Sequence, residues 1–388
     1  MQIKHVKKDD LEFKYKCFKY PYKKKHLIKT EIQRYRFYNK LNTYFKVFFN
    51  NSQININWML IKNVLLNYSN MDPVFSIIDK NNLVKAYNLN NDINLDKNIK
   101  EINHKIMKYI LKLYEYTLNI NDSDYKIITK NINDSCILYV ENYEDETKVI
   151  INKEIFNKMR DRYYHKNKDN LDINLIWLII FRYQYLDILY FSQAKLNDSF
   201  YYEIKEKLNI DVELFGSAFN STLKYYGSLF YDIEKYFGSI GNFFNCELIK
   251  GNYLMSPPYG FKLINSAFDK LYYFLTKKDS QITVLTILPV WYNKDEHEYL
   301  NKVCEKKETL YNSAILNIQD TKNSVNVLKN TKYNIFDKLY CKGLIEYYNV
   351  DKNKIKEIYE NHHNIMIFSN VLKNVKFDII PDFIEFKK

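Results

Sequence analysis

A chain of 388 residues with 46% hydrophobic and 27% charged content can fill two or three packed cores, which excludes general disorder and low-complexity structure. The longest apolar run, Leu175 to Phe181, falls far short of the roughly 18 residues that cross a bilayer, so an integral membrane protein is excluded and no membrane partner is expected. The formal net charge is +12, and its placement matters more than its size, because residues 1–40 hold thirteen Lys or Arg against Asp9, Asp10, Glu12 and Glu31.

That first segment, 1–40, reads as a basic arm that interleaves cations with aromatics: Phe13-Lys14-Tyr15-Lys16, Tyr22-Lys23-Lys24-Lys25 and Arg34-Tyr35-Arg36-Phe37-Tyr38. Cations can follow a phosphate chain while flat rings stack on bases. Lys23, Lys24, Lys25, Arg34 and Arg36 are therefore candidate contacts to single-stranded nucleic acid. A solvated charged face, or an import patch at Lys23 to Lys25, accounts for the same residues. No apolar run with a cleavage site follows the basic start, so the chain is expected to stay inside a cell. Only five arginines occur, at 34, 36, 160, 162 and 182. Abundant Lys, Asn, Ile and Tyr point to AT-rich coding, and each arginine was kept against that bias.

Residues 41–205 read as a mainly helical accessory domain. Ile102, Ile106, Tyr109, Ile110 and Leu113 recur at helical spacing within Asn98 to Leu118, as do Ile176, Ile179, Ile180 and Tyr183 within Leu175 to Tyr190. Ile127 to Ile151 alternates enough for a hairpin. Residues 206–388 change character to α/β. Asp211 to Phe215 and Asn252 to Met255 read as strands and Phe261 to Leu275 as an amphipathic helix. Ile282 to Leu288 and Asn364 to Phe368 are apolar runs of the kind found in buried parallel strands. A mostly parallel sheet follows, with ligands beyond its carboxyl ends. Six of the seven glycines fall between 216 and 260, where the backbone must turn tightly or approach a ligand. Cys17, Cys136, Cys246, Cys304 and Cys341 are far apart, and no histidine pair has metal-ligand spacing, so no metal is expected.

The chemistry-bearing motif is Ser256-Pro257-Pro258-Tyr259, placed after a strand and before a helix. This type of motif marks methyltransferases that modify an exocyclic amine of a base. The lone pair of such an amine is delocalised into its ring and is a poor nucleophile. Polar acceptors must hold its hydrogens and favour a pyramidal nitrogen as the new bond forms. The Ser256 hydroxyl and the Pro257 carbonyl can be those acceptors, fixed by two consecutive prolines, while Tyr259 offers a face for an extruded base.

The neighbourhood extends the match. Leu214-Phe215-Gly216-Ser217-Ala218-Phe219-Asn220, Tyr236-Phe237-Gly238-Ser239-Ile240-Gly241 and Ser256 to Tyr259 resemble, in order and spacing, the blocks of the cap-specific adenosine N6-methyltransferases. That family is typified by the WW-domain protein that interacts with the phosphorylated C-terminal domain of RNA polymerase II. Arg182-Tyr183-Gln184, Pro289-x-Trp291 and His363-Asn364 are further matches, and the resemblance covers about residues 170 to 370. It implies an α/β, Rossmann-like class I methyltransferase domain preceded by a mainly helical domain, with S-adenosyl-L-methionine as methyl donor and capped mRNA as acceptor. The target would be the N6 amine of the cap-adjacent 2′-O-methyladenosine. Block matching makes Ser256 to Tyr259 catalytic and Phe215, Ser217 and Asn220 cofactor-binding; Asp232, Gly238, Ser239 and Gly241 are further cofactor candidates, since a carboxylate can receive an amino or hydroxyl group and glycines permit close backbone approach, with a helix-terminal or surface carboxylate the alternative for Asp232. Arg182 would reach a phosphate or the cap, or else form a salt bridge between domains.

Two departures bear on these expectations. Serine stands at 256 where the family has asparagine, and tyrosine at 259 where it has phenylalanine. A rotating hydroxyl is a less preorganised acceptor than a fixed carbonyl, and Ser-Pro-Pro-Tyr also occurs in cytosine N4 DNA methyltransferases. A DNA amino-methyltransferase and a catalytically silent RNA-binding relative are therefore the alternatives. Trp58, Trp177 and Trp291 are too dispersed for a WW domain, so binding to the polymerase tail is not expected. Cytoplasmic location, in a virus that caps its own transcripts, is the matching expectation, with the nucleus as the alternative.

Overall fold

The computed structural model describes residues 2–8, 10–17, 27–49, 72–81, 93–118, 125–167, 172–188, 193–196, 198–258, 261–289, 324–340, 345–347, 357–358 and 363–372. The basic start is a hairpin of β1 (Gln2–Lys8) and β2 (Leu11–Cys17), where an arm was expected. Alternation places Leu11, Phe13 and Tyr15 on a buried face, leaving Glu12 and Lys14 on the other. β2 pairs antiparallel with residues 246–250, so this segment is part of the main sheet. Lys23, Lys24 and Lys25 lie outside the described residues.

Helices α1 (Leu27–Phe49) and α2 (Ile93–Leu118) follow. Along α2, Ile99, Ile102, Ile106, Ile110 and Leu113 are buried at the expected spacing, and Tyr109 stacks flat on Phe37 at 3.7 Å between centroids. The alternating segment forms the expected hairpin, β3 (Ile127–Ile132) and β4 (Ser135–Val140), extended by β5 (Val149–Asn152). Helix α3 (Lys153–Asn167) leads to α4 (Ile173–Tyr185), which is buried all round from Leu175 to Tyr183. Asp172 caps α4 by accepting from Asn174 N, and Trp177 stacks on Phe181 while donating Nε1 to Thr147 O at 2.9 Å. None of the described helices is long and apolar enough to cross a membrane.

After β6 (Ala194–Leu196) and α5 (Asp198–Leu208) come β7 (Val212–Glu213), β8 (Tyr225–Gly227), β9 (Ser239–Gly241) and β10 (Cys246–Met255). Then follow α6 (Phe261–Thr276), β11 (Gln281–Pro289), α7 (Ser324–Lys329), β12 (Asn334–Tyr340), β13 (Ile345–Tyr347), β14 (Glu357–Ile358) and β15 (His363–Ser369). The main sheet runs β12-β15-β11-β10-β7-β8-β9, while β13 and β14 join β6 in a small separate sheet. Counted from β7, its strands lie in the order third, second, first, fourth, fifth, seventh, sixth. That is the dinucleotide-fold order with one strand added beside the sixth.

The added strand, β15, is antiparallel to both β11 and β12, which corrects its reading as a parallel strand. An apolar run buried on both faces carries no mark of direction. The four junctions from β11 to β9 are parallel as expected. Alternate residues feed opposite cores. Tyr253, Met255, Ile282, Val284, Met366 and Phe368 pack under α6 and the N-terminal hairpin, whereas Leu254, Leu285, Ile287, Ile365 and Ile367 pack under α5. A third cluster, built around α4, runs continuously into Ala218, Phe219, Tyr226 and Phe230, so the helical part is fused to the sheet through apolar contact.

Candidate functional site

From β7 the chain builds outward through β8 to β9, then returns to the other side of β7 as β10. The order of the sheet therefore reverses between β7 and β10, and in open α/β sheets a crevice opens there beyond the carboxyl ends. Two of the motifs singled out in the sequence leave these two strand ends. The loop carrying Phe215 to Asn220 follows β7, and Ser256-Pro257-Pro258 follows β10, with Tyr253 and Leu254 in register with Val212 and Glu213. Ser256 and Pro258 are half-buried and Pro257 is buried, while Tyr259 lies outside the described residues.

Sheet pairing carries the β7 chain into the site, since Leu214 N donates to Leu254 O and Gly216 N to Gly227 O, both at 2.7 Å. Beyond Gly216 the loop closes on itself. Ser217 Oγ donates to Gln193 Oε1 at 2.6 Å, Asn220 Oδ1 accepts from Ser217 N at 2.8 Å, and Ser221 N donates to Ser217 O at 3.1 Å. Ser217 and Asn220, expected to contact a cofactor, thus direct these polar groups into shaping the loop. Phe215 packs against Phe243 and Phe244, with ring centroids 5.1 and 6.1 Å away, and forms an apolar wall at the strand ends.

Ser239 is buried, its Oγ 2.6 Å from Ser228 Oγ and accepting from Gly241 N. Gly238 has φ +104°, and a Cβ there would lie 2.8 Å from Lys224 O; at Gly227 it would lie 2.2 Å from Leu214 O. At these two positions the close approach expected of the glycine cluster is made by neighbouring backbone. Gly241, φ +85°, turns the chain out of β9 at the same edge of the sheet.

Three arginines expected to meet RNA are engaged with carboxylates. Arg182 is fully buried and donates through Nε and Nη2 to Glu31 (2.8 and 2.6 Å) and through Nη1 to both oxygens of Asp232 (2.8 and 3.0 Å). It forms the interdomain salt bridge of the two roles weighed, and Asp232, expected at the cofactor, is its partner. Arg34 is equally buried, donating to Glu31 and Asp72. Arg36, at the surface, holds Glu146 through two hydrogen bonds of 2.7 Å. Burial alone would push the Glu31 carboxyl up, but Arg182 and Arg34 outweigh it and hold it down at about 2.

Sequence reasoning missed the residues that brace the β7 loop. Glu234, buried just after β8, accepts from Ala218 N at 2.9 Å and from Tyr183 OH at 2.8 Å, and burial pushes its carboxyl up to about 7. Glu213, which ends β7, is likewise pushed up to about 7 by burial and accepts from Tyr201 OH at 3.3 Å. Lys158 and Arg162 reach the same loop from α3. Only Arg162 had a signal, its scarcity as a residue type. Among the described residues no cluster of His, Cys, Asp or Glu could hold a metal ion.

Fold and site together define an α/β protein compatible with a Rossmann-like unit, with a proline corner at its topological switch point. Residues 153–325 match the model of the family described as phosphorylated CTD interacting factor 1 WW domain. The matched span begins with α3 and runs past β11, taking in the β7 loop, the glycine-bearing strands and Ser256 to Pro258. No curated protein matches the chain.

Proposed function

We propose that the chain is an S-adenosylmethionine-dependent methyltransferase that modifies the N6 amine of the adenosine next to the cap of mRNA. The observation that carries this reading is the place of Ser256, Pro257 and Pro258, at the end of β10 beside the end of β7, where the sheet order reverses. The family match over residues 153–325 supports the methyltransferase class, and the motif resemblance supplies capped RNA as acceptor.

The residues present suit such a donor. Phe215, braced by the buried ring of Phe243, would line the donor site at the end of β7. The tightly closed loop from Phe215 to Ser217 would hold the nucleoside by its backbone. When bound, the donor supplies a methyl group made electrophilic by a positively charged sulfur. The chain's own part is played at the amine. Ser256 Oγ and Pro257 O accept its hydrogens, draw the nitrogen toward a tetrahedral shape and stabilise the positive charge it gains as the S–CH₃ bond breaks, and one of the two hydrogens then leaves to solvent as a proton. The two prolines fix the backbone that presents them.

Transfer of labelled methyl from S-adenosylmethionine to capped RNA, uncapped RNA and duplex DNA tests the proposal. Label on capped RNA, recovered by mass spectrometry as N6-methylated cap-adjacent adenosine, is the expected result. Label on DNA alone would replace the reading with a DNA amino-methyltransferase. RNA binding without donor affinity would replace it with a silent relative.

A further inference from the structure

We infer that Lys158 and Arg162 of α3 are positioning residues for the loop that follows β7, so that the helical part of the chain sets donor affinity. This rests on the proposed reading that Phe215 to Ser217 hold the donor. Lys158 Nζ donates to the carbonyls of Phe219 and Asn220, at 3.2 and 3.4 Å. One turn further along the same helix face, Arg162 donates through Nη1 to Ser221 O at 3.1 Å and through Nη2 to Leu223 O at 2.9 Å. Its guanidinium also lies 4.9 Å from the ring centroid of the buried Tyr226 on β8.

The segment from Phe219 to Leu223 belongs to no helix or strand, so its carbonyls have no regular backbone partners. Buried or half-buried carbonyls must find donors elsewhere, and two cations from outside the sheet take four of them. On its amide side the loop is tied by Ala218 N to Glu234. The loop is thus held from both sides, immediately after the three residues assigned to the donor. If the α3 cations are removed, the turn from Ser217 to Leu223 can loosen and the backbone after Phe215 and Gly216 loses its brace, while Ser256, which follows β10, is untouched. The expected signature is therefore weaker donor binding with near-normal chemistry once the donor is saturating.

The test uses full-length Arg162→Met, Lys158→Met and Arg162→Lys chains. Calorimetry with S-adenosylmethionine should show the donor Kd rising about tenfold or more for Arg162→Met, on the order of one charge-assisted pair lost. A smaller rise is expected for Lys158→Met, and partial recovery for Arg162→Lys. Turnover at saturating donor should stay within about twofold of the parent chain, in line with loss of uniform binding. Hydrogen exchange should quicken at amides 218–223 more than in the rest of the chain, which stays folded under the assay conditions. Unchanged Kd with unchanged exchange in both methionine variants would overturn the inference. A parent chain with no donor affinity would instead overturn the proposed function, and the exchange rates would then decide the bracing on their own.

Discussion

Replacing Arg182 with methionine retains much of the apolar stem and removes the fork. That fork gives Nε and Nη2 to Glu31 and Nη1 to Asp232, joining α1, α4 and the turn after β8 in a buried cluster. In the variant Glu31 keeps hydrogen bonds from Arg34 and Tyr185, and Asp232 loses its guanidinium. Burial favours the neutral form of Glu31, yet Arg182 first and Arg34 second pull its pKa from 4.5 down to about 2. A depression of that size corresponds to about 3 kcal/mol. Because the folded value is the lower one, this stability is fully present above pH 4.5 and is lost as pH falls towards 2. Removing the stronger attraction, and stranding a second carboxylate, should cost about 3–5 kcal/mol at pH 7, against a total of roughly 5–15 kcal/mol. Urea denaturation across pH 2–7 checks this. The parent chain should weaken steeply below pH 4.5, and the variant should start lower and change less over that window. A loss under about 1 kcal/mol at pH 7, accompanied by weaker RNA binding, would refute the structural role and assign Arg182 to the RNA.

Three further outcomes are expected. Ser256→Ala should lower single-turnover methyl transfer by about tenfold or more while donor Kd stays put; unchanged turnover would remove the hydroxyl from the chemistry. Glu213 is raised to about 7 by burial, so the folded state loses stability as pH climbs from 4.5 to about 7. Glu213→Gln cannot ionise, and denaturation curves should show it more stable than the parent by roughly 2–3 kcal/mol at pH 8 with no gain at pH 4. Gly227→Ala would press a methyl group against Leu214 O, so thermal unfolding should show a loss of about 2 kcal/mol or more, and an unchanged midpoint would contradict that close approach.

Helices with a one-sided apolar stripe were legible in the sequence, as α2 and α6 show, and so was α4, although its burial all round was not. The strand that leads into Ser256-Pro257-Pro258 was legible because its apolar run is local. What failed was whatever depends on distant partners. Phe13-Lys14-Tyr15 has the two-residue period of a strand, but its lysines drew attention to charge, and the strand that pairs with it lies more than two hundred residues on. The rarity of Arg34 and Arg182 marked them as special without saying whether phosphate or carboxylate would meet them. Lys158 and Arg162 act on backbone carbonyls some sixty residues away, a role any sequence can fill and none announces.

The bond between β2 and the start of β10 also governs how this chain can be made. A ribosome releases residues 11–17 long before residues 246–250 exist, so the second strand synthesised must wait for about two thirds of the polypeptide before its apolar side is covered. For the same reason a fragment cut at residue 206 would emerge with the seat of Leu11, Phe13 and Tyr15 bare.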